Sequence, residues 1–264
     1  MSFLVNPYWY ASSCGDADAV AFLTATGITD ATITSAICTL VTTMKTDGTW
    51  AKCNTIYPMV GGTATTHKFN LKNPLDTNAA FRLSFVGGWT HSSNGALPNG
   101  TNTYADTFFN PSLNASLNSH HISYYSRSNV NLTQSEIGVF VTNSNSQINA
   151  RFTNASYYRI NTISTGWIIF ADTDSRAFYI ANRTASNVVN GWRNLTKVAT
   201  GIIASTSLTN LNYYIGALNN TGVASNYSTK QCAFSTIGTG LTDAEAAALY
   251  NSIQAMQTTL SRNV

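Results

Sequence analysis

Charge is what this chain has least of. Asp, Glu, Lys and Arg make up 9% of its 264 residues, against roughly 25% in ordinary soluble domains. Its surface is therefore left to Asn, Ser, Thr and Tyr. The net charge is only +3, and the Lys and Arg are scattered, so the basic stripe that neutralises nucleic-acid phosphates is missing. No apolar run approaches the roughly 18 residues that a membrane-spanning helix needs. Neither nucleic acid nor membrane is expected as a partner. The opening residues, MSFLVNPYWYASSCGD, have no basic segment, and Asn6 and Pro7 break their apolar run, which is unlike a secretory signal.

Acids are scarcer still, with Glu136 and Glu245 the only two glutamates. Glycoside hydrolysis normally takes two carboxylates flanking the bond. The Glu-x-Asp-x-Glu cluster that β-sandwich glycosidases place on one strand is absent, and Glu136 has no acid two or four residues away. There is no Gly-x-Ser-x-Gly elbow for a serine nucleophile. His120 and His121 are neighbours on a strand pattern, so they point to opposite faces and cannot share one ion or one base role. His67 reads as a structural histidine. Asp172 and Asp174 offer oxygens to a hard cation, although a turn between strands is the plainer reading. The four cysteines (Cys14, Cys38, Cys53, Cys232) lack CxxC or Cys/His ligand spacing, which leaves buried free thiols. The chain is thus read as no enzyme, with no catalytic residue, metal or cofactor. Asn-x-Ser/Thr triplets at Asn99, Asn131, Asn194 and Asn226 follow from composition.

What is present is turn-punctuated β-structure. Between Trp50 and Gly100 three short runs, Thr55–Val60, His67–Leu71 and Phe81–Val86, are separated by Gly-Gly and Asn-Pro-Leu-Asp, and read as strands. Phe81, Leu83 and Phe85 alternate with Arg82 and Ser84, as on a half-buried strand. From Ser119 short β-branched and aromatic runs recur with polar turns between them: HHISYYSRS, EIGVFVTN, QINARF, YYRIN, GWIIFAD, RAFYIANR, NVVNGWRN, KVATGI and LNYYIGALNN. This is the pattern of a sandwich or jelly roll. Two helices precede it. Asp16 or Asp18 opens the first and Gly27 stops it; Thr29 or Asp30 opens the second, with Ile33, Ile37, Leu40, Val41 and Met44 at helical spacing and Gly48 at its end. A last helix opens at Leu241–Glu245 with Thr242 and Glu245 as a capping box. The division expected is an aromatic arm, 1–15, and one domain, 16–264, holding the N-terminal helices at 16–48 and the C-terminal helix at 241–262.

Several phrases carry a resemblance. YYIGALN…FSTIGTGLTDAEAAALYNSIQ resembles the closing strand, turn and helix of concanavalin A-like, laminin-G-like jelly rolls, and RAFYIANRTASNVVNGWRN resembles their central hairpin. GTWAKCNTIYPMVGGTATTHKFNLKNP, AAFRLSFVGGWTHSSNG and PNGTNTYADT are similar to bacteriophage virion proteins built on this jelly roll. The likeness runs from about Asp16 to Arg262. It implies a mainly β, two-sheet antiparallel jelly-roll sandwich with short N-terminal helices and one C-terminal helix. It further implies a non-enzymatic fibre, spike, tail or capsid-decorating component of the virion, made in the host cytoplasm and assembling with itself and other virion proteins. A free-standing carbohydrate-binding module is the alternative, and a glycan-cleaving enzyme a weaker one.

Should the protein touch a host surface glycan, the segment from Trp89 to Asp106 is the expected contact. It reads as a long Gly/Asn-rich loop at the sandwich edge, where binding residues concentrate. Trp89 and Tyr104 offer ring faces, and His91, Asn94, Asn99, Asn102 and Asp106 offer polar groups.

Overall fold

The computed structural model describes residues 14–264. The expected arm, 1–15, lies outside them except for Cys14 and Gly15. Asp16 caps the first helix, Ala17–Thr26, by accepting the Asp18 and Ala19 N–H groups, and Gly27 closes it at φ 66°. Asp30 caps the second, Ala31–Thr46, whose buried stripe is Ala36, Ile37, Leu40, Val41 and Met44. The closing helix, Asp243–Thr259, has the Thr242–Glu245 capping box and buries Leu249, Ile253 and Met256.

The strands in chain order are β1 (Cys53–Tyr57), β2 (Ser84–Val86), β3 (Thr90–Ser92), β4 (Gly95–Leu97), β5 (Tyr104–Asp106) and β6 (His120–Ser126). There follow β7 (Ile137–Val141), β8 (Ser144–Phe152), β9 (Ala155–Thr162), β10 (Ile168–Ala171), β11 (Ala177–Ala185) and β12 (Val188–Arg193). The last are β13 (Thr196–Ile202), β14 (Tyr214–Ile215), β15 (Leu218–Asn220), β16 (Val223–Ser225) and β17 (Cys232–Gly238). An eight-stranded sheet runs β13-β12-β11-β6-β17-β4-β3 with β1 also beside β17; a nine-stranded sheet runs β10-β9-β8-β7-β14-β5-β2 with β15 beside β7 and β16 beside β15. All pairings are antiparallel except that of β15 with β7. The protein is mainly β, an antiparallel two-sheet sandwich with few helices, as the sequence leads one to expect.

Alternation along single strands assigns the layers. Tyr124 and Tyr179 point between the sheets, where Ile137, Val139, Ile148, Ala150, Tyr158 and Ile160 meet them. Their neighbours Tyr125 and Phe178 point the other way, into a second core with the three helices. The helices therefore cover the outer face of the eight-stranded sheet, and among the described residues the outer face of β7–β10 carries no such layer.

Several expectations are corrected. Cys14 and Cys38 form a disulfide, their Cα atoms 5.5 Å apart, because the antiparallel packing of the first two helices brings a pair 24 residues apart in sequence together. Cys53 and Cys232 are buried free thiols. His67–Leu71 is not a strand: Thr63 caps a helical turn, Ala64–His67. Beyond it Asn70 uses its side chain where a strand would use backbone, accepting from Ile56 N–H at 2.9 Å and donating to the Ala80 carbonyl at 3.1 Å. Phe81 stands at φ 58°, so the strand there is only Ser84–Val86. The Gly/Asn-rich 89–106 segment is not one long loop but contributes β3 and β4 to one sheet and β5 to the other.

Candidate functional site

A groove of about 340 Å³ opens on the outer face of the nine-stranded sheet. Period-two alternation builds it. While Ile148 and Tyr158 face the core, Gln147 and Asn149 of β8 and Tyr157 and Arg159 of β9 face out. Register sets them as cross-strand pairs, Gln147 opposite Arg159 and Asn149 opposite Tyr157. Phe140, Phe152, Trp167, Leu218 and Asn220 complete the walls, with Thr133 and Asn226 from the loops. Gly138 fits the floor because it lacks a side chain: a Cβ there would stand 2.9 Å from Gln147 Cγ and 3.0 Å from Leu218 Cδ1.

The polar groups of this groove are held but not saturated. The Arg159 guanidinium stacks on Trp167, 3.8 Å from the ring centroid, and donates to Ser164 O at 2.8 Å and Gln147 Oε1 at 2.5 Å. Its Nε has no partner, and neither has Asn149 Oδ1, although both atoms are buried. Burial without a counter-charge pushes Arg159 down to about 9. Tyr157 meets Trp167 edge-on, centroids 5.8 Å apart and planes at 82°. No Asp or Glu lines the groove. The arrangement offers ring surface, amides and one cation, and no pair of carboxylates for acid–base work.

The residues singled out from the sequence have other neighbours. Trp89 Nε1 donates to the carbonyls of Val86 at 3.1 Å and Tyr104 at 3.3 Å, and its ring packs edge-on against Phe85. His91 Nδ1 lies 2.9 Å from His67 Nδ1, and burial lowers both imidazoles, His67 to about 3. Asn94 sits in the β3–β4 turn, with its N–H on Ser92 Oγ. Asn99 Oδ1 accepts from the Thr101 and Asn102 N–H groups and its Nδ2 donates to Asn102 Oδ1. Tyr104 stacks on Tyr214 at 4.4 Å. Asp106, raised by burial, accepts from Phe108 N–H and Asn212 Nδ2. Trp89 and His91 are thus together around Phe85, and Asn99 and Asn102 hold each other; Asn94 and Asp106 stand apart. None of the seven lines the groove.

The remaining acids are occupied, and the remaining histidines are buried. Glu136 and Lys230 form a fully buried ion pair at 3.1 Å, and Glu136 also accepts from Ser228 Oγ and Ala150 N–H. Asp172 pairs with Arg193 and accepts from Tyr179 Oη, and Asp174 pairs with Arg176. Among the described residues no group of three His, Cys, Asp or Glu is placed to hold a metal. His120 and His121 are both fully buried, the first beside Asn161 and the second on Thr239 O and Thr236 Oγ1.

The sequence reasoning passed over Gln147, Asn149, Tyr157, Arg159 and Trp167. Their signal is in the strand alternation: two neighbouring strands whose wet face carries amides, an arginine and an aromatic rather than Ser and Thr.

No family model matches the chain, and no curated protein does. Among solved structures it is similar to domain 4 of AbnA, a GH43 extracellular arabinanase from Geobacillus stearothermophilus, solved in complex with arabinotriose. That match has a TM-score of 0.52 at 12% identity and covers 75% of this chain and 98% of that one. It is also similar to the binding domain of Botulinum neurotoxin serotype D, with a TM-score of 0.51 at 9% identity over 76% of this chain; the match spans about half, 51%, of that chain. These likenesses show a shared β-sandwich fold.

Proposed function

We propose that this protein is a non-enzymatic glycan-binding module whose site is the groove over β7–β10. The observation that carries the reading is the sheet face left uncovered by the described residues, where aromatic walls surround buried polar atoms without partners. Buried polar groups are nearly always paired, so an unpaired donor and an unpaired acceptor in an open groove suit a ligand rich in hydroxyls. Rings of Tyr157 and Trp167 supply an apolar platform, and Gln147, Asn149 and Asn220 the placed polar groups, which is the composition that small-molecule sites use. The arabinotriose bound by the arabinanase domain of like fold supports the same class of ligand. Absence of acids from the groove argues against cleavage.

Titration calorimetry against a panel of oligosaccharides tests this. Binding by the wild type is expected to weaken about thirtyfold in Trp167→Ala, the usual cost of losing a central aromatic anchor. It is expected to survive Trp89→Ala and Tyr104→Ala. Loss in the latter two variants while they stay folded, with Trp167→Ala unaffected, moves the site to the 89–106 segment. Sugar cleavage by the wild type returns the enzyme reading.

A second reading concerns where the module works. The phrases similar to bacteriophage virion jelly rolls support a place on a virus particle, as a self-associating fibre, spike, tail or capsid-decorating protein. Little charge means little repulsion between copies. Immunogold labelling of purified particles tests the location, and light scattering tests the self-association. Unlabelled particles and a clean monomer leave the free-standing module.

A further inference from the structure

The other buried cations have more acceptors than Arg159: Arg183 donates to the carbonyls of Ile160, Ala185, Ser186 and Ile203, with its Nη2 unpartnered. Lys230 has Glu136, and Arg193 has Asp172. Arg262, 1% exposed, donates to Gln257 Oε1 and to the carbonyls of Met59, Ser93, Pro58 and Ala233. Arg159 differs. It is 4% exposed and lines an open groove, yet it has only one carbonyl and one amide oxygen for its five N–H donors. None of the ion pairs among the described residues includes it. Its unpartnered Nε and the unpartnered Asn149 Oδ1 belong to adjacent cross-strand pairs of the groove floor.

A guanidinium kept out of water without a counter-charge is costly. Stacking on Trp167 and the Gln147 hydrogen bond fix its plane, so the remaining donors are presented in a set direction rather than searched for. A planar fork of this kind matches a carboxylate better than any hydroxyl. Asn149 Oδ1 then accepts from a neighbouring hydroxyl of the same ligand. Resting on the glycan-binding reading above, we propose that the groove selects acidic saccharides and that Arg159 pairs with the sugar carboxylate.

The test is a matched set of probes: sialyllactose against lactose, galacturonate oligomers against their methyl esters, and lactose 3′-sulfate. Each is titrated into wild type, Arg159→Gln, Gln147→Glu and Trp167→Ala, with thermal melts to verify folding. Gln147→Glu guards against a folding failure of Arg159→Gln, because it places a carboxylate on the guanidinium with almost no change of shape. The wild type is expected to bind a carboxylated member about tenfold or more tighter than its neutral partner, the scale of a hydrogen bond to a charged group. Gln147→Glu is expected to erase that preference by supplying the counter-charge internally. Equal binding of acidic and neutral members, lost in Trp167→Ala, overturns acid selection and leaves the glycan reading standing. An unchanged preference in a folded Gln147→Glu overturns the role of Arg159. Binding of the sulfated probe alone overturns the carboxylate assignment. No binding of any probe by folded wild type overturns both readings.

Discussion

At the scale of the residue, this protein uses its few ionisable groups mainly as interior fasteners. Glu136 has no role that its place in the sequence explains. It is spent on Lys230, Ser228 and the Ala150 amide, an arrangement that breaks expensively when one partner is removed. The histidines are a second case. His67, His120 and His121 are buried without a carboxylate partner, and desolvation lowers them from 6.5 to about 3, about 3 and about 4. They are neutral in the folded chain, whereas the unfolded chain takes up protons below about 6.5. The unfolded state then binds more protons, so stability falls as pH drops from about 6.5 towards 4, and is unaffected by these groups above 7. Each histidine contributes about 1.4 kcal/mol per pH unit within that window. Thermal melts between pH 7.5 and 4.5 are expected to show a level Tm above about 7 and a fall below about 6.5, shallower in folded His120→Gln. A Tm that is flat over this range would contradict the burial of these rings.

Elements were legible where local chemistry decides them. Asp16, Asp30 and Thr242 are the helix caps, and the strands from His120 onward follow their β-branched runs. Replacing Thr242 with Ala removes the side-chain acceptor for Glu245 N–H at 3.2 Å. It is expected to cost about 1 kcal/mol, read as a drop of about 2–4 °C in Tm for a chain of this size; no change would mean the cap is idle. Legibility failed where side chains replace backbone. The Asn70 amide stands in for a strand partner of β1, and Phe81 takes a left-handed backbone, neither of which leaves a periodic trace. The Cys14–Cys38 bridge depends on how two helices pack, which spacing along the chain does not encode. The groove was missed for a related reason: the alternation on β8 and β9 was plain, but which sheet face the helices leave bare is a property of the assembled layers.

At the scale of the whole molecule, that asymmetry is the central fact. Helices cover the outer face of one sheet, and the corresponding face of the other holds the groove. The fold alone does not dictate a ligand; the proposal rests instead on the unsaturated Arg159 and Asn149 beside Trp167. The chain has five tryptophans, of which Trp167 lines the groove and Trp89 lies in the alternative segment. The most direct measurement is therefore a proton–nitrogen NMR titration that follows the indole N–H signals, assigned through Trp167→Phe and Trp89→Phe, as a bound oligosaccharide is added. The Trp167 signal is expected to shift progressively to saturation while that of Trp89 stays in place. A saturating shift at Trp89 with Trp167 unmoved would contradict the account.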